Sequence, residues 1–209
     1  MKRAGFIFGI LLLFLTNAAN AAENDDLRRI EEYLNSITTL KTDFTASFPD
    51  GFNVEGKAYL SRPGKMHLDY GPPTSVLVIA DGRFLIHYDK ELKQASWVGL
   101  SEAPVVELLV RPKISLDDDD IEVVRVEKSA QTIDLYLKLL RAPPEQQKMM
   151  MTFSTAPMQL LQWIEQDTPY GDVVVRFNNM SINIPLPSDL FVFKDPRFND
   201  PLSSRRRSF

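Results

Sequence analysis

The strongest constraint on the fold is a series of short segments in which apolar and polar residues alternate. The first runs from Leu40 to Phe48, where Leu40, Phe44 and Phe48 fall on one face of the segment. Turn signals such as Asp50-Gly51 and Pro63-Gly64 separate the segments. A period of two residues interrupted by such turns is typical of antiparallel strands with tight connections. The sequence therefore predicts an antiparallel meander.

Ten further strands are predicted on the same grounds, in two series. The first series covers residues 52–60, 65–70, 75–80, 83–88 and 94–100, and the second covers 121–127, 132–140, 148–154, 160–167 and 172–184. Strands of this length and spacing indicate a mainly β protein with short helices.

Two helices are predicted. The first runs from Asp25 to Ile37, because its apolar residues recur at helical spacing, and Asn24 or Asp25 is expected to cap it. The second lies between the two strand series, from Ser101 to Arg111, with Ser101 as its expected cap and Pro104 in its first turn.

Several predicted strands carry large apolar residues on both faces. Leu77 and Ile79 oppose Val78, Met149 and Met151 oppose Met150, and Leu161 and Trp163 oppose Leu160 and Ile164. Both faces therefore need a cover, which two short helices are too small to supply. A strongly curved sheet, or half-barrel, resolves this, with its convex side toward solvent and with the helices and a cavity on its concave side. A fully packed core without a cavity is the alternative.

The second helix is unusually apolar. Five of six successive residues are aliphatic, namely Val105, Val106, Leu108, Leu109 and Val110. This is more than one stripe of an exposed helix needs, so the helix either plugs an apolar opening as a lid or is an ordinary core helix. The methionines at 149–151 are equally open to two interpretations, as adaptable ligand contacts or as core filling.

Residues typical of catalysis are scarce. His67 and His87 are predicted to be surface imidazoles, and Asp117 to Asp120 is predicted to be a solvated acidic turn rather than a calcium loop. A hydrolase using Asp43, Asp69 or His67 has no supporting motif. We therefore expect no enzyme, no cofactor and no metal site.

Arg62 stands between a predicted strand and the Pro63-Gly64 turn. On general grounds it is a solvated turn residue. Its guanidinium has five donors and no acceptor, however, so an inward orientation would let it hold backbone carbonyls at the end of a short helix.

The N-terminus predicts export. Lys2 and Arg3 precede an apolar run from Ala4 to Leu15, and Ala19-Asn20-Ala21 resembles a cleavage site, which indicates a signal peptide at residues 1–21. We expect residues 22–209 to form one soluble domain, with a poorly ordered tail at 197–209.

Composition excludes several classes of protein. The chain has no cysteine, so it carries neither a disulfide framework nor the acylated cysteine of a lipoprotein. Its net charge is −4, with 24 basic and 28 acidic residues, which argues against nucleic acid as a partner. Losing Lys2 and Arg3 with the signal peptide makes the mature chain more acidic still.

At several of these positions the chain resembles the outer-membrane lipoprotein carrier protein (LolA) family. The resemblance covers most of the mature chain and lies in the order and spacing of its motifs. They are Leu40 to Thr45, Gly56 to Tyr70 with its Leu-Ser-Arg-Pro core, Leu77 to Gly82, the helix near Pro104, and Phe191 to Pro196.

The resemblance implies an incomplete, half-open β-barrel that is closed by a helical lid. It also implies a periplasmic carrier that takes acylated lipoproteins from an inner-membrane ABC transporter to an outer-membrane lipoprotein receptor. We expect the protein to be a monomer. Arg62 would inherit the role of latching the lid, whose positions are Val105, Val106, Leu108 and Leu109. The cavity-lining candidates are Phe44, Phe48, Leu60, Leu77, Met149, Met151 and Trp163.

An alternative keeps the same fold and changes its use. A regulatory domain could employ the cavity to sense lipids or lipoproteins without transporting them. Such a domain usually accompanies a membrane segment or a second domain, and neither is evident in the mature sequence.

Overall fold

The computed structural model describes residues 23–169 and 171–196. The predicted signal peptide at 1–21 and the predicted tail at 197–209 both lie outside the described residues. Within the described ranges, no helix is long and apolar enough to cross a lipid bilayer.

Eleven strands form one antiparallel sheet in the part of the chain that the structure describes. The strands are β1 (Thr39–Ser47), β2 (Asn53–Ser61), β3 (Lys65–Tyr70), β4 (Val76–Asp81), β5 (Phe84–Asp89), β6 (Gln94–Gly99), β7 (Ile121–Lys128), β8 (Thr132–Leu139), β9 (Lys148–Thr155), β10 (Met158–Thr168) and β11 (Gly171–Ile182). The prediction of a mainly β protein with an antiparallel meander is confirmed, and the strand bounds agree to within about two residues.

The sheet consists of two meanders joined through their outer members. The strand order is β6-β5-β4-β3-β2-β1-β11-β10-β9-β8-β7, so the first and last strands of the chain pair in the middle. Phe44 of β1 faces Phe177 of β11 across this junction. The edges are β6 and β7, which are consecutive in sequence, and the sheet stays open between them.

Helix α1 covers residues 23–36 and packs on the concave face of β7 to β10. Ile30 and Leu34 are buried there in the largest apolar cluster. The expected cap is wrong, because Asn24 and Asp25 already lie within the helix. The carboxylate of buried Asp26 accepts a hydrogen bond from the Lys128 ammonium at 2.7 Å, which ties the start of α1 to β7.

Helix α2 spans Pro104–Val110 and lies in the connection between the two edge strands. Pro104 occupies its first turn as predicted, since the fixed φ of proline suits that position. The cap is Ala103 and not Ser101, which belongs to a separate 3₁₀ turn at Leu100–Glu102.

The sequence predicts a convex face turned toward solvent, but part of this face is covered. The segment that follows β11 crosses the outside of the first meander and buries Phe191 there. The Nδ1 atom of His67 donates to the carbonyl of Leu190 at 2.6 Å, and the ring of Phe193 packs 5.2 Å from that of Tyr88. His67 is therefore a half-buried anchor for this segment, whereas His87 is exposed as predicted.

A β-bulge in β10 corrects the predicted faces of that strand. The register shifts between Leu160 and Gln162, so that Leu161 is the extra residue and is partly exposed. Leu160 and Trp163 consequently face the same interior, although simple alternation placed them on opposite sides.

Candidate functional site

The site is an apolar cavity of about 630 Å³ between the concave face of the sheet and the N-terminal part of α2. Its walls come from β1 to β5, β10, β11 and α2. The lining residues are Phe44, Ala46, Phe48, Ala58, Met66, Leu68, Tyr70, Val78, Leu85, Ala103, Pro104, Val105, Val106, Leu109, Gln146, Trp163, Glu165, Thr168, Pro169, Val173, Val175 and Phe177.

Small residues on the two central strands create this space. Ala46 of β1 and Ala58 of β2 are buried in one cluster with Phe44, line the cavity and fill little volume themselves. The Phe44 ring lies directly over Gly56, where a Cβ atom would come within 2.4 Å of the ring. Glycine at position 56 therefore lets the Phe44 ring approach the backbone of β2 closely.

Helix α2 closes one side of the cavity, and we call it the lid. Val105, Val106 and Leu109 line the cavity. Leu108, the fourth predicted lid residue, points away from the cavity into the main core, where only 3% of it is exposed. The helix is therefore apolar nearly all round because it separates a packed core from the cavity.

Arg62 holds the end of the lid to the end of α1. Its Nε donates to the Leu109 carbonyl at 2.8 Å, and its Nη1 donates to the carbonyls of Leu34 and of Ile37, the latter at 3.2 Å. These carbonyls lie at helix C-termini and lack partners within their own helices. Burial lowers the pKa of the Arg62 guanidinium, so the interior disfavours its charge while the hydrogen bonds compensate.

Two further contacts secure the same end of the lid. The Gly64 N–H donates to the Val110 carbonyl at 2.8 Å, which makes the whole Arg62 to Gly64 turn a clamp on the lid. Glu107 of the lid accepts from Arg111 at 2.7 Å, and Arg111 also pairs with Asp120.

The acidic turn is thus only partly solvated. Asp120 is half-buried and also pairs with Arg141, and the hydrogen bond from Arg111 is the main cause that lowers the pKa of Asp120. The prediction of a solvated turn fails for Asp120, because Arg111 and Arg141 converge on it.

The structure divides the predicted lining residues into two groups. Phe44, Phe48 and Trp163 line the cavity. Four others do not: Leu60 packs in the cluster beneath the lid, Met149 and Met151 are buried in the main core, and Leu77 shares the opposite face with Ile79. The methionine pair therefore fills the core.

The polar members of the cavity wall were missed. Glu165 and Tyr70 both line the cavity, and burial together with the Glu165 charge raises the pKa of Tyr70 to about 12. Burial also raises the pKa of Glu165. The indole Nε1 of Trp163 is buried and has no hydrogen-bond partner in the part of the chain that the structure describes. One feature of the sequence does indicate that Glu165 belongs to the wall. It is two residues from the predicted lining residue Trp163 and so shares its face of β10.

Metal-binding side chains do not gather anywhere in the described residues, where no group of three or more histidines or acids could hold an ion.

Comparison with known proteins identifies the family of this cavity and lid. The family model described as outer membrane lipoprotein carrier protein LolA matches residues 35–194, which include the Arg62 turn, the lid and the cavity strands. An outer-membrane lipoprotein carrier protein of Pasteurella multocida is 28% identical, with 90% of each chain covered. One of Methylococcus capsulatus is 26% identical, over 90% of this chain and 92% of the relative.

Two other similar proteins are less informative about function. An uncharacterized protein of Rickettsia prowazekii is 25% identical over 96% of this chain and 92% of its own length. A solved structure of an uncharacterized conserved protein from Thermus thermophilus shares the fold, with a TM-score of 0.51 at 8% identity over 82% of this chain and 94% of that chain. Because the family model spans most of the sequence, the chain belongs to the outer-membrane lipoprotein carrier protein LolA family.

Proposed function

We propose that the protein is a soluble periplasmic carrier that binds the acyl chains of lipoproteins in the cavity beneath α2. In this proposal it is exported by cleavage near Ala21 and acts as a monomer. It receives cargo from an inner-membrane ABC transporter and delivers it to an outer-membrane receptor. The observation that carries the proposal is an apolar cavity of about 630 Å³ beside a lid that is fixed at one end by polar contacts.

Acyl cargo needs such a site because it cannot cross water unaided. At about 0.8 kcal/mol per buried methylene, one sixteen-carbon chain represents roughly 13 kcal/mol of hydrophobic transfer. An aliphatic and aromatic wall can replace much of the contact that the chain loses when it leaves a membrane. The step requires binding and release and no covalent chemistry.

The lid gives the carrier a way to release what it binds. Val105, Val106 and Leu109 occupy the side of the cavity through which a chain would enter. Cargo that displaces them must break the contacts between Arg62 and the lid, so part of the binding free energy is used for opening. Closing the lid recovers that energy and assists delivery.

A matched pair of variants tests the proposal. Ala46→Phe places a ring inside the cavity, whereas Thr45→Phe places the same ring on the outward face of the same strand. Each protein is incubated with an acylated lipoprotein in detergent, the detergent is removed, and the soluble complex is separated by gel filtration and identified by mass spectrometry.

We expect the wild type and Thr45→Phe to hold the lipoprotein in solution and Ala46→Phe to lose it. Thermal unfolding of both variants checks that the fold survives. Retention of cargo by a folded Ala46→Phe protein would contradict binding in this cavity. Absence of cargo from the wild type would contradict the carrier proposal itself.

A further inference from the structure

Of the described residues that line the cavity, Glu165 alone carries a carboxyl group, and its position is set by the sheet. The register places Glu165 opposite Met149 of β9 and Val173 of β11, at a position that points toward the concave interior. Most residues that line the cavity are apolar, and the other polar ones are Tyr70, Gln146 and Thr168, so an aliphatic residue would suit the site better. An acidic residue there costs stability and calls for an explanation.

Among the residues that the structure describes, no hydrogen bond or ion pair compensates the Glu165 carboxyl. Within residues 23–169 and 171–196 it makes no hydrogen bond and no ion pair. The Tyr70 hydroxyl likewise has no hydrogen-bond partner in these ranges. The indole N–H of Trp163, two residues away on β10, also finds no partner within the described ranges. These three polar groups therefore lack a hydrogen-bond partner among the described residues and lie in or beside a largely apolar cavity.

From this geometry we infer that Glu165 binds a primary ammonium group that lies next to the acyl chains of the cargo. The inference rests on the proposed function, since the acyl chains bring the ammonium group to the cavity wall. A cation is the ligand that offsets an uncompensated carboxylate, and it can donate to Glu165 while the Tyr70 hydroxyl accepts. An anionic end, such as that of a free fatty acid, meets a like charge and is disfavoured.

Two sources could supply this chemistry. One is the free α-amine of a lipoprotein whose N-terminal cysteine carries a diacylglyceryl group but no N-acyl chain. The other is an ethanolamine lipid headgroup, in which a phosphate accompanies the ammonium group. The shared feature is a primary amine within a few bonds of two acyl chains.

The test uses two synthetic lipopeptides that differ only at the amine. Each has a dipalmitoylglyceryl cysteine at its N-terminus, and one has a free α-amine whereas the other is N-acetylated. Affinities are measured at neutral pH by displacement of a fluorescent apolar probe from wild type, Glu165→Gln and Glu145→Gln. Glu145 is an exposed acid next to the cavity-lining Gln146, so its variant removes the same charge outside the cavity.

We expect the wild type and Glu145→Gln to bind the lipopeptide with the free amine about ten- to a hundredfold more tightly than the N-acetylated one. This is the gain in affinity that one charge-assisted hydrogen bond supplies. Glu165→Gln should bind the two equally. The preference should also fade as acid protonates Glu165, and Tyr70, the other titratable residue of the wall, stays neutral throughout that range.

Equal binding of both lipopeptides by the wild type would overturn the inference and leave the carrier proposal intact. A preference that survives in Glu165→Gln would also overturn it. Failure of the wild type to bind either lipopeptide would instead refute the carrier proposal. Binding of phosphatidylethanolamine and of phosphatidylglycerol is then compared to separate the two sources of the amine. Tighter binding of the ethanolamine lipid would show that the site also accepts membrane headgroups, and equal binding of the two lipids would restrict it to the peptide amine.

Discussion

Replacing Arg62 by leucine tests how strongly the lid is held. The guanidinium makes one hydrogen bond to the lid, at the Leu109 carbonyl, and two to the end of α1 at Leu34 and Ile37. Leucine cannot donate, so all three carbonyls lose this partner. The carbonyl of Leu109 regains a partner when the lid opens to water, which favours the open state.

The magnitude follows from that single bond. A hydrogen bond to a charged group contributes about 1.5–3 kcal/mol. Burial lowers the pKa of Arg62, which shows that holding the charge inside already costs free energy. The net loss should therefore lie near the lower bound, at roughly 1.4 kcal/mol, which is about a tenfold shift of the lid equilibrium toward opening. The bond from Gly64 to Val110 remains and keeps the closed state populated.

Hydrogen exchange measures this shift directly. The amides of α2 from Leu108 to Val110 should exchange about tenfold faster in Arg62→Leu than in the wild type, whereas core amides such as those of Leu135 and Phe153 should keep their rates. Arg62→Lys should fall between the two, because a single ammonium cannot reach both helix ends. Arg83→Leu removes an exposed arginine that stacks on Phe84, and it should change nothing in α2.

Unchanged exchange of α2 in Arg62→Leu would refute the latch. An equal increase at every amide would show that Arg62 supports the whole fold and not the lid in particular.

Three further predictions concern stability. Because burial raises the pKa of Glu165 in the folded state, the native protein binds the extra proton, and stability falls as pH rises above the ordinary glutamate value of 4.5. Glu165→Gln should therefore be more stable than the wild type at neutral pH, with no difference below that value; a constant difference at all pH values in urea titrations would contradict this. Gly64→Ala should lower the free energy of unfolding more than Gly51→Ala. Both glycines have positive φ, but a Cβ at position 64 would lie 2.9 Å from the Gly82 Cα, whereas a Cβ at position 51 has no described atom within 4 Å. Equal losses of stability would show that the contact at position 64 relaxes freely. Met149→Ala should lower the free energy of unfolding by about 2–5 kcal/mol, because it leaves a void in the packed core, and it should leave acyl binding unchanged. Reduced binding by the folded variant would show that Met149 belongs to the binding site.

Local patterns predicted the strands well because each is bounded by a specific turn. Asp50-Gly51 and Pro63-Gly64 place glycines at positive φ, which is what the turns after β1 and β2 require. Alternation along β1 likewise predicted which residues are buried. These features depend on a few neighbouring residues, so the sequence carries them fully.

Features that depend on distant partners were harder to predict. The bulge at Leu161 reverses the faces of β10, and no local residue signals it. The cover supplied by Phe191 and Phe193 depends on where the chain runs after β11, and it explains the apolar convex face that alternation had left open. Assignment of Met149 to the core required knowing where α1 packs, since methionine suits a core and a cavity equally well.

Paramagnetic relaxation by a bound acyl chain tests the central claim most directly. A diacyl lipopeptide with a nitroxide near one chain end is added to methyl-labelled protein, and the broadening of each methyl resonance is recorded. The account predicts stronger broadening at Ala46, Ala58 and Val175 on the cavity wall than at Ile133 and Leu135 in the packed core. Broadening confined to exposed surface methyls, with the cavity methyls unaffected, would contradict it.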